Sequence, residues 1–415
     1  MTDRVKSKSL RLAFFLPHIG VTGGLGVHCR TLVESILELP EPFGITIIAP
    51  KEPERLFPKS GLEPGWRHLA QDNQVRLELV DWPSHASLAD PLDQILAPLE
   101  CIRTADVIYS SYYTAMARPP APQVVTFHDA GFLEHPEGFG GMAETRRKTL
   151  DRVAPAIRVM HCVSADARDR ICRLLPFNPS RTGVVWHALA DLPEAMAQAR
   201  GNNWKSTPLW PCGDCPGQWG RFAFFPVGAA TGFNRRRKNV PLAVQAFRAM
   251  RPTDLRLVIA STCLLDESSL EQLLPEAERA RGDLSGGAWR SNDGKVLVLP
   301  NLNRPEFLAA MANALVVYYP TRYEGFGLPA IEAMALGVPL ITGNTTSLPE
   351  IVGEAGVLVD PDSLESLANA LELVSSDSDH RSGLIAKGLH RVTLFSRTAM
   401  AQGMVELFLA AASTR

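Results

Sequence analysis

Two glutamates frame a glycine-rich segment in the second half of the chain. Glu324 and Glu332 are separated by seven residues, and the stretch between them begins GFGLP. The preceding run ALVVYY is apolar and ends at a proline, which predicts a buried strand, while AIEAMAL consists of good helix formers. Gly325 and Gly327 permit unusual backbone angles, and Pro329 is tolerated in a first helical turn. The stretch therefore predicts a strand, a loop that carries Glu324, and a helix that carries Glu332 one turn in.

The predicted loop has a definite chemistry. A loop between a parallel strand and a helix directs unpaired backbone N–H groups toward the space beyond the carboxyl end of the sheet, which favours phosphate. A carboxylate beside such a phosphate-binding loop is suited to accept hydrogen bonds from hydroxyls, such as those of a ribose or a sugar. The stretch predicts a nucleotide-sugar site, although by itself it equally fits a Gly-Pro loop with two solvated glutamates.

Three other segments place reactive groups after predicted strands. GVTGGLGVH, which includes Gly24, allows a ligand close to the backbone, but Cys29 replaces the third glycine of GxGxxG, which disfavours a dinucleotide site. In QVVTFHD, a neutral His128 at a strand end can donate to a sugar hydroxyl or a phosphate oxygen. Taken alone, each of these two segments also fits a structural role. The run RRRK contains Arg237 and Lys238 and precedes a helix at the same sheet edge as the glutamate loop, where cations can meet a diphosphate.

Composition limits the class of protein. The chain has 415 residues, 46% of them hydrophobic and 21% charged, with a net charge of −2. These values fit a soluble protein of two or three domains and give no reason to expect a nucleic-acid partner. Seven scattered cysteines indicate a reducing cytoplasm, and CGDC at 212–215 has no second pair at zinc spacing. Neither a signal peptide nor a transmembrane segment is predicted.

Strand-like and helix-like segments alternate twice, which predicts the α/β fold class with two Rossmann-like doubly wound domains facing each other across a cleft. The predicted N-terminal domain spans residues 1–190, and a Gly-, Pro-, Trp- and Cys-rich linker or inserted loop spans 191–221. The second domain spans 222–395, and a C-terminal helix spans 396–415. Two DxD sequences occur in the second half of the chain. The one at 360–362 follows a predicted strand, and the one at 377–379 is predicted to lie in a polar loop. Neither is placed like a metal–diphosphate clamp.

Together these segments resemble the retaining glycosyltransferases of family 4, the glycosyl transferases group 1, which have the GT-B fold. The specific feature is the E-x7-E pattern within EGFGLPAIEAMALGVPLI. Other stretches resemble family segments in the same order, over about residues 11 to 400, namely SLPEIVGEAGVLVDP, VGAATGFNRRRKN, VTFHDAGF and HCVSADARDRI. The resemblance implies a C-terminal helix that crosses back to the N-terminal domain.

The resemblance also implies a role for each site residue. Glu332 would hold the ribose hydroxyls, and Glu324 would contact hydroxyls of the transferred sugar. Lys238, with Arg237 or a neighbour, would neutralise the leaving diphosphate, and His128 would orient the donor sugar. Gly24 and its loop would close over the phosphates, and backbone contacts to the donor would come from Gly325, Phe326, Gly327 and Leu328. His128, Lys238 and Glu324 are thus the catalytic candidates, and neither a metal nor another cofactor is expected.

One departure affects the diphosphate turn. Many family members carry arginine directly after the glycine of this turn, where this chain has Ala229. Arg235, Arg236 or Arg237 is expected to substitute for it.

The implied function is transfer of a hexose, with mannose from GDP-mannose favoured, to a saccharide or lipid-linked acceptor in polysaccharide or lipopolysaccharide synthesis. A lipid-linked acceptor would bring this cytoplasmic protein to the inner face of the membrane, with a predicted basic helix, MAETRRKTLDRVAPAIRVM, as the peripheral contact. Three alternatives stay open: a hydrolysing nucleotide-sugar 2-epimerase of the same fold, an inverting transferase with His18 as general base, and a non-catalytic GT-B scaffold.

Overall fold

The computed structural model describes residues 10–17, 24–52, 66, 69–70, 75–82, 92–139, 141–189, 219–227, 236–251, 254–262, 271, 288–300 and 302–413. Outside the described residues lie His18, Ala229, Arg235, the CGDC pair and nearly all of the predicted linker. The chain divides into two compact units, Met1–Ala190 with Phe395–Arg415, and Asp191–Leu394.

The first unit contains a parallel sheet. Its strands are β1 (Arg11–Phe15), β2 (Gly44–Pro50), β3 (Arg76–Val80), β4 (Val107–Ser110), β5 (Gln123–Phe127), β6 (Ile157–Cys162) and β7 (Thr182–Val184). They run in the order β3-β2-β1-β4-β5-β6-β7, and the pairings between them are parallel. The strand order reverses between β1 and β4, and such switch points are where ligands of doubly wound sheets bind.

The second unit repeats this plan. Its strands are β8 (Phe222–Val227), β9 (Arg256–Ser261), β10 (Trp289–Arg290), β11 (Val296–Leu299), β12 (Val316–Tyr319), β13 (Leu340–Gly343) and β14 (Val357–Val359). The order is β10-β11-β9-β8-β12-β13-β14, with β10 antiparallel to β11. Here the switch point lies between β8 and β12. The predicted α/β class with two doubly wound sheets is confirmed.

Helices accompany both sheets. In the first unit they are α1 (Gly24–Leu37), α2 (Asp93–Leu96), α3 (Glu100–Thr104), α4 (Gly131–Glu134), α5 (Gly141–Val153) and α6 (Ala165–Leu174). In the second they are α7 (Val240–Ala249), α8 (Arg304–Ala312), α9 (Leu328–Ala335), α10 (Leu348–Val352), α11 (Leu364–Ser376) and α12 (Ser378–Arg391). The last helix, α13 (Arg397–Ala412), belongs to the first unit.

Two local expectations were wrong. The basic segment MAETRRKTLDRVAPAIRVM is not one helix, because α5 ends at Val153 and a 3-10 turn containing Pro155 leads into β6. The polar stretch around Asp377 is not a loop. The Asp377 carboxylate accepts hydrogen bonds from the backbone N–H groups of Asp379 and His380, and so caps the N-terminus of α12.

The C-terminal helix α13 packs into the core of the first unit. Phe408 is fully buried, and its ring centroid lies 5.6 Å from those of both Phe14 on β1 and Tyr109 on β4. Met400 and Met404 of α13 join the same cluster. The implied return of this helix to the N-terminal part of the chain is confirmed.

We predict that Phe408→Ala lowers the free energy of unfolding by about 3–5 kcal/mol, since it leaves a large cavity among aromatic rings. The matched control is Leu409→Ala, because Leu409 is 47% exposed and its loss should change stability by less than about 0.5 kcal/mol. Hydrogen–deuterium exchange should show faster exchange in β1 and β4 of the first variant. Equal stability of the two variants would contradict the described packing of α13.

Candidate functional site

The segment after β8 is held against the loop after β12. The backbone carbonyl of Arg237 accepts hydrogen bonds from the N–H of Arg322 at 2.6 Å and from the hydroxyl of Thr321 at 2.8 Å. The Asn239 side chain donates to the carbonyl of Pro320, while its own backbone is left-handed, with φ of 60°. These contacts fix residues 237–239 beside the predicted glutamate loop.

Lys238 and Glu324 form a buried ion pair. The Lys238 ammonium donates to Glu324 Oε1 at 2.9 Å and to the Tyr319 hydroxyl at 2.6 Å, and it lies 4.5 Å from the Tyr319 ring centroid. Arg237 Nη1 lies 3.3 Å from Glu324 Oε2. Lys238 and Glu324 are each 6% exposed. The site therefore holds two cations against one carboxylate beyond the end of β12.

Burial and charge act in opposite directions on this pair. Burial lowers the pKa of Lys238, and the attraction of Glu324 offsets only part of that effect. Burial alone would raise the pKa of Glu324, but the charges of Arg237 and Lys238 outweigh it, so the pKa is lowered. Both groups are charged at neutral pH. Since an ammonium has three donors, the two hydrogen bonds of Lys238 leave one for a ligand oxygen.

The loop residues that follow β13 fix the backbone of Glu324. Its N–H donates to the Thr346 hydroxyl at 3.0 Å, and its carbonyl accepts from the Ser347 hydroxyl at 2.9 Å. Gly343, at the end of β13, lies close to the segment after β12, because a Cβ on it would clash with the carbonyl oxygen of Thr321. Residues after three strand ends, those of β8, β12 and β13, thus contribute to one site.

Helix α9 begins directly after the glycine loop, as predicted. Gly327 has a φ of 96°, and a Cβ on it would lie 2.8 Å from Leu348 Cδ2, so both conformation and space require glycine. Pro329 lies in the first helical turn, and no side chain caps the N-terminus. Phe326 is buried, whereas Gly325 and Leu328 are partly exposed.

Glu332 lies within α9 and has a different partner. Arg304 Nη2, at the start of α8, donates to Glu332 Oε1 at 2.6 Å. The Glu332 side chain is 6% exposed and that of Arg304 is 30% exposed. The two glutamates of the E-x7-E pattern are therefore separately neutralised, Glu324 by residues after β8 and Glu332 by the residue that opens α8.

In the first unit, His128 follows β5 and its hydrogen bond defines its tautomer. Its Nε2 lies 2.8 Å from the backbone carbonyl oxygen of Ser111. Because a carbonyl only accepts, Nε2 carries the proton, and Nδ1 of the neutral ring is an acceptor. His128 can therefore accept from a sugar hydroxyl but cannot donate to a phosphate oxygen, which narrows the chemistry expected from the sequence. Gly24 opens α1, and the glycine-rich residues before it lie outside the described ranges.

A directional hydrogen-bond chain lies in the same unit. The His161 Nε2–H donates to the Val185 carbonyl at 3.0 Å, so His161 Nδ1 accepts from the Thr126 hydroxyl at 2.9 Å. Thr126 then accepts from the Tyr109 hydroxyl at 2.7 Å, and Tyr109 accepts from His28 Nε2 at 3.4 Å. His161 is neutral because burial lowers its pKa to about 4, and a neutral ring protonated on Nε2 accepts at Nδ1.

Four imidazoles meet here; those of His28, His161 and His187 are buried, and that of His128 is partly exposed. The ring centroid of His28 lies 4.2 Å from that of His187, 5.3 Å from that of His128 and 6.3 Å from that of His161. Burial lowers the pKa of each of the four, and that of His161 falls to about 4. Within the described residues, no group of histidine, cysteine and acidic side chains has an arrangement suited to a metal ion.

Two protein-family models match the chain. The model for glycosyl transferases group 1 matches residues 231–391, and that for glycosyltransferase family 4 matches residues 22–189. The O-antigen chain mannosyltransferase B of Escherichia coli is 29% identical over 280 residues, which is 66% of each chain. The chain belongs to glycosyltransferase family 4.

Solved structures share the fold of this family 4 glycosyltransferase. A glycosyltransferase from Rickettsia africae has a TM-score of 0.68 at 12% identity, with 98% of this chain and 100% of that chain covered. HepE from Anabaena, solved with UDP and glucose, has a TM-score of 0.62 at 16% identity, covering 95% and 98%. The chain spans less than two thirds of the length of the curated relatives it matches.

Three residues of the candidate site were not predicted from the sequence. Tyr319 is the last residue of β12, a position whose side chain lies at the carboxyl end of the sheet, and this signal was available. Arg304 directly follows Asn303, the N-cap residue of α8. Because Arg304 and Glu332 are 28 positions apart in the sequence, no local pattern predicts that they pair. Thr346 gave no local signal at all.

The basic helix α5 has local partners. The Arg146 guanidinium lies 5.6 Å from the Tyr112 ring centroid, and Lys148 pairs with Glu144 at 2.7 Å. Within the described part of the chain, no helix combines the length and apolar composition needed to cross a membrane. Peripheral membrane contact through α5 stays a prediction.

The histidine cluster predicts an acid limit to stability. Because the pKa of folded His161 is lowered to about 4, its contribution to stability is complete above the unfolded pKa of about 6.5 and is lost as pH falls toward about 4. His161→Gln keeps a donor for Val185 but cannot titrate. Between about pH 6 and 4.5, the free energy of unfolding of this variant should fall less steeply with decreasing pH than that of the wild type. The two slopes should differ by about 1.4 kcal/mol per pH unit.

Urea denaturation at a series of pH values, monitored by hydrogen exchange of β5 and β6, measures this slope. The control is His135→Gln, a histidine in the same unit whose side chain is 43% exposed rather than buried. An unchanged slope in His161→Gln would contradict a neutral buried His161.

Proposed function

We propose that this chain transfers a hexose, with retention of anomeric configuration, from a nucleoside diphosphate sugar to a saccharide or lipid-linked acceptor of a surface polysaccharide. The observation that carries the proposal is the paired arrangement in the second unit. Lys238 and Arg237 surround Glu324 at the start of the glycine loop, and Arg304 holds Glu332 in α9. The cations Lys238 and Arg237 lie at the start of the glycine loop, and cations at this position favour an anionic ligand.

The proposed donor contacts follow from the chemistry of each group. The diphosphate binds at the uncapped start of α9 and takes the third donor of Lys238, because helix N-termini and ammonium groups both favour phosphate. The acceptor-only carboxylates take hydroxyl hydrogen bonds, Glu332 from the ribose and Glu324 from the transferred sugar. Backbone contacts come from Gly325, Phe326, Gly327 and Leu328.

In the proposed reaction, the bond from the anomeric carbon to the diphosphate oxygen breaks as the bond to the acceptor oxygen forms on the same face. The acceptor hydroxyl proton passes to the departing diphosphate oxygen. Negative charge grows on the diphosphate in the oxocarbenium-like transition state, so Lys238 and Arg237 stabilise that state more than the bound donor. His128 accepts a hydrogen bond from a sugar hydroxyl through Nδ1, and no side chain acts as a nucleophile.

The names of similar proteins support mannose as the sugar. The Escherichia coli relative is an O-antigen chain mannosyltransferase, and a Mycolicibacterium hassiacum relative, 35% identical over 132 residues, is an α-(1→4)-mannosyltransferase. HepE was also solved with UDP-glucose, which supports a nucleoside diphosphate sugar as the donor class. We therefore propose GDP-mannose first among donors, used in the cytoplasm for lipopolysaccharide or a related polymer.

The first test is a thermal-shift screen of the purified protein against GDP-mannose, UDP-glucose, ADP-glucose and dTDP-glucose in buffer containing EDTA. We expect one nucleotide class to raise the Tm by mass action, by an amount set by ligand concentration over Kd. The shift should disappear in Glu332→Ala and persist in Glu354→Ala, where an exposed glutamate pairs with Lys387. A folded sample with no shift from any donor would overturn the proposed donor site and favour a non-catalytic scaffold.

The second test concerns Lys238. Lys238→Met should lower kcat by about 10²- to 10³-fold, because it removes a fixed donor from the departing diphosphate. Lys387→Met, at an exposed lysine, should keep wild-type kcat. Product formation with the donor found in the screen and a mannose-terminated oligosaccharide is followed by proton NMR of the anomeric signal.

Each spectrum also reports the reaction class. A product with the donor's anomeric configuration supports retention, and an inverted product overturns it. Release of free nucleoside diphosphate with a 2-epimeric sugar and no acceptor product would identify an epimerase instead.

A further inference from the structure

Arg304 forms a hydrogen bond with Glu332 from a different helix. It is the first residue of α8, directly after Asn303, and its Nη2 donates to Glu332 Oε1 at 2.6 Å. The two residues are 28 positions apart and lie on different helices. The Glu332 side chain is almost fully buried, while about a third of the Arg304 side chain is exposed. The carboxylate is therefore held by a cation that itself reaches solvent.

The start of α8 is built to be rigid. Asn303 and Glu306 form a reciprocal capping box, in which each side chain accepts from the other's backbone N–H. Pro305 restricts the backbone in the first turn. Arg304 therefore projects from a fixed point, and its planar guanidinium limits the orientations that the Glu332 carboxylate can adopt.

Orientation matters for the ligand proposed at Glu332. An ionised carboxylate has about four acceptor positions on its two oxygens, and Arg304 occupies one of them on Oε1. The others can accept from the two neighbouring hydroxyls of a ribose only if the carboxylate plane is held toward them. A carboxylate that rotates freely must be ordered when the nucleotide binds, and the entropy lost in ordering it weakens binding.

We propose that Arg304 is a positioning residue that orients Glu332 for the 2′- and 3′-hydroxyls of the donor nucleotide, and so sets the preference for ribose over deoxyribose. This inference rests on the proposed donor site. It differs from a purely structural role, in which Arg304 would only neutralise a buried charge and would affect all ligands equally.

The test is the ratio of Kd values for 2′-deoxy-GDP and GDP, measured by isothermal titration calorimetry; UDP and its 2′-deoxy form replace them if the uridine class binds. Loss of one hydrogen bond to a charged acceptor corresponds to a ratio of about ten or more in the wild type. Arg304→Gln should bring the ratio close to one. Arg304→Lys, which keeps the charge but not the planar donor, should give an intermediate ratio and serves if the first variant does not fold.

The matched control is Arg221→Gln. Arg221 is also an arginine of the second unit and pairs with a carboxylate, that of Asp254, at 2.9 Å, but on the exposed surface. Its ratio should equal that of the wild type.

The outcomes separate the two proposals. A wild-type ratio near ten that persists in both Arg304 variants overturns the positioning role and leaves the donor site intact. A wild-type ratio of one, with tight binding of both ligands, overturns the assignment of Glu332 to the ribose and the inference with it. Absence of binding by any nucleoside diphosphate to the folded wild type overturns the proposed function itself.

Discussion

The second unit depends on the placement of a buried carboxylate. Glu324 is 6% exposed, and an ionised carboxylate taken out of water is costly unless it is paired and hydrogen-bonded. Lys238 and Arg237 supply the charge. The Tyr319 hydroxyl accepts a hydrogen bond from the Lys238 ammonium at 2.6 Å. A buried lysine or glutamate without its partner is destabilising, so the segments after β8 and β12 stabilise each other through this pair.

Sheet topology makes this pairing possible. The strands β8 and β12 are neighbours at the point where the strand order reverses, although β9, β10 and β11 lie between them in the sequence. Loops leave the carboxyl ends of such neighbours in opposite directions, which opens a space that charged side chains can line. In the first unit, the same arrangement between β1 and β4 places α1 beside the Ser111 segment, to which His128 is bonded.

The two units bury polar groups in different ways. The second uses full charges in pairs, whereas the first keeps four imidazoles neutral and joins two of them, His28 and His161, through Tyr109 and Thr126. A neutral, one-directional hydrogen-bond chain avoids the cost of buried charge but commits each ring to one tautomer. A single bond to a backbone carbonyl has the same effect on His128, which consequently offers an acceptor rather than a donor.

The sequence alone determined the class of fold and most of the strands, because buried parallel strands are continuous apolar runs and GFGLP carries its own backbone requirement at Gly327. It also singled out Glu324 and Lys238 for one site. Only the tertiary structure decided the partners, Tyr319 for Lys238 and Arg304 for Glu332. Sequence patterns report local backbone preference and burial, whereas a pairing between residues 28 positions apart depends on which helices and strand ends the sheet brings together.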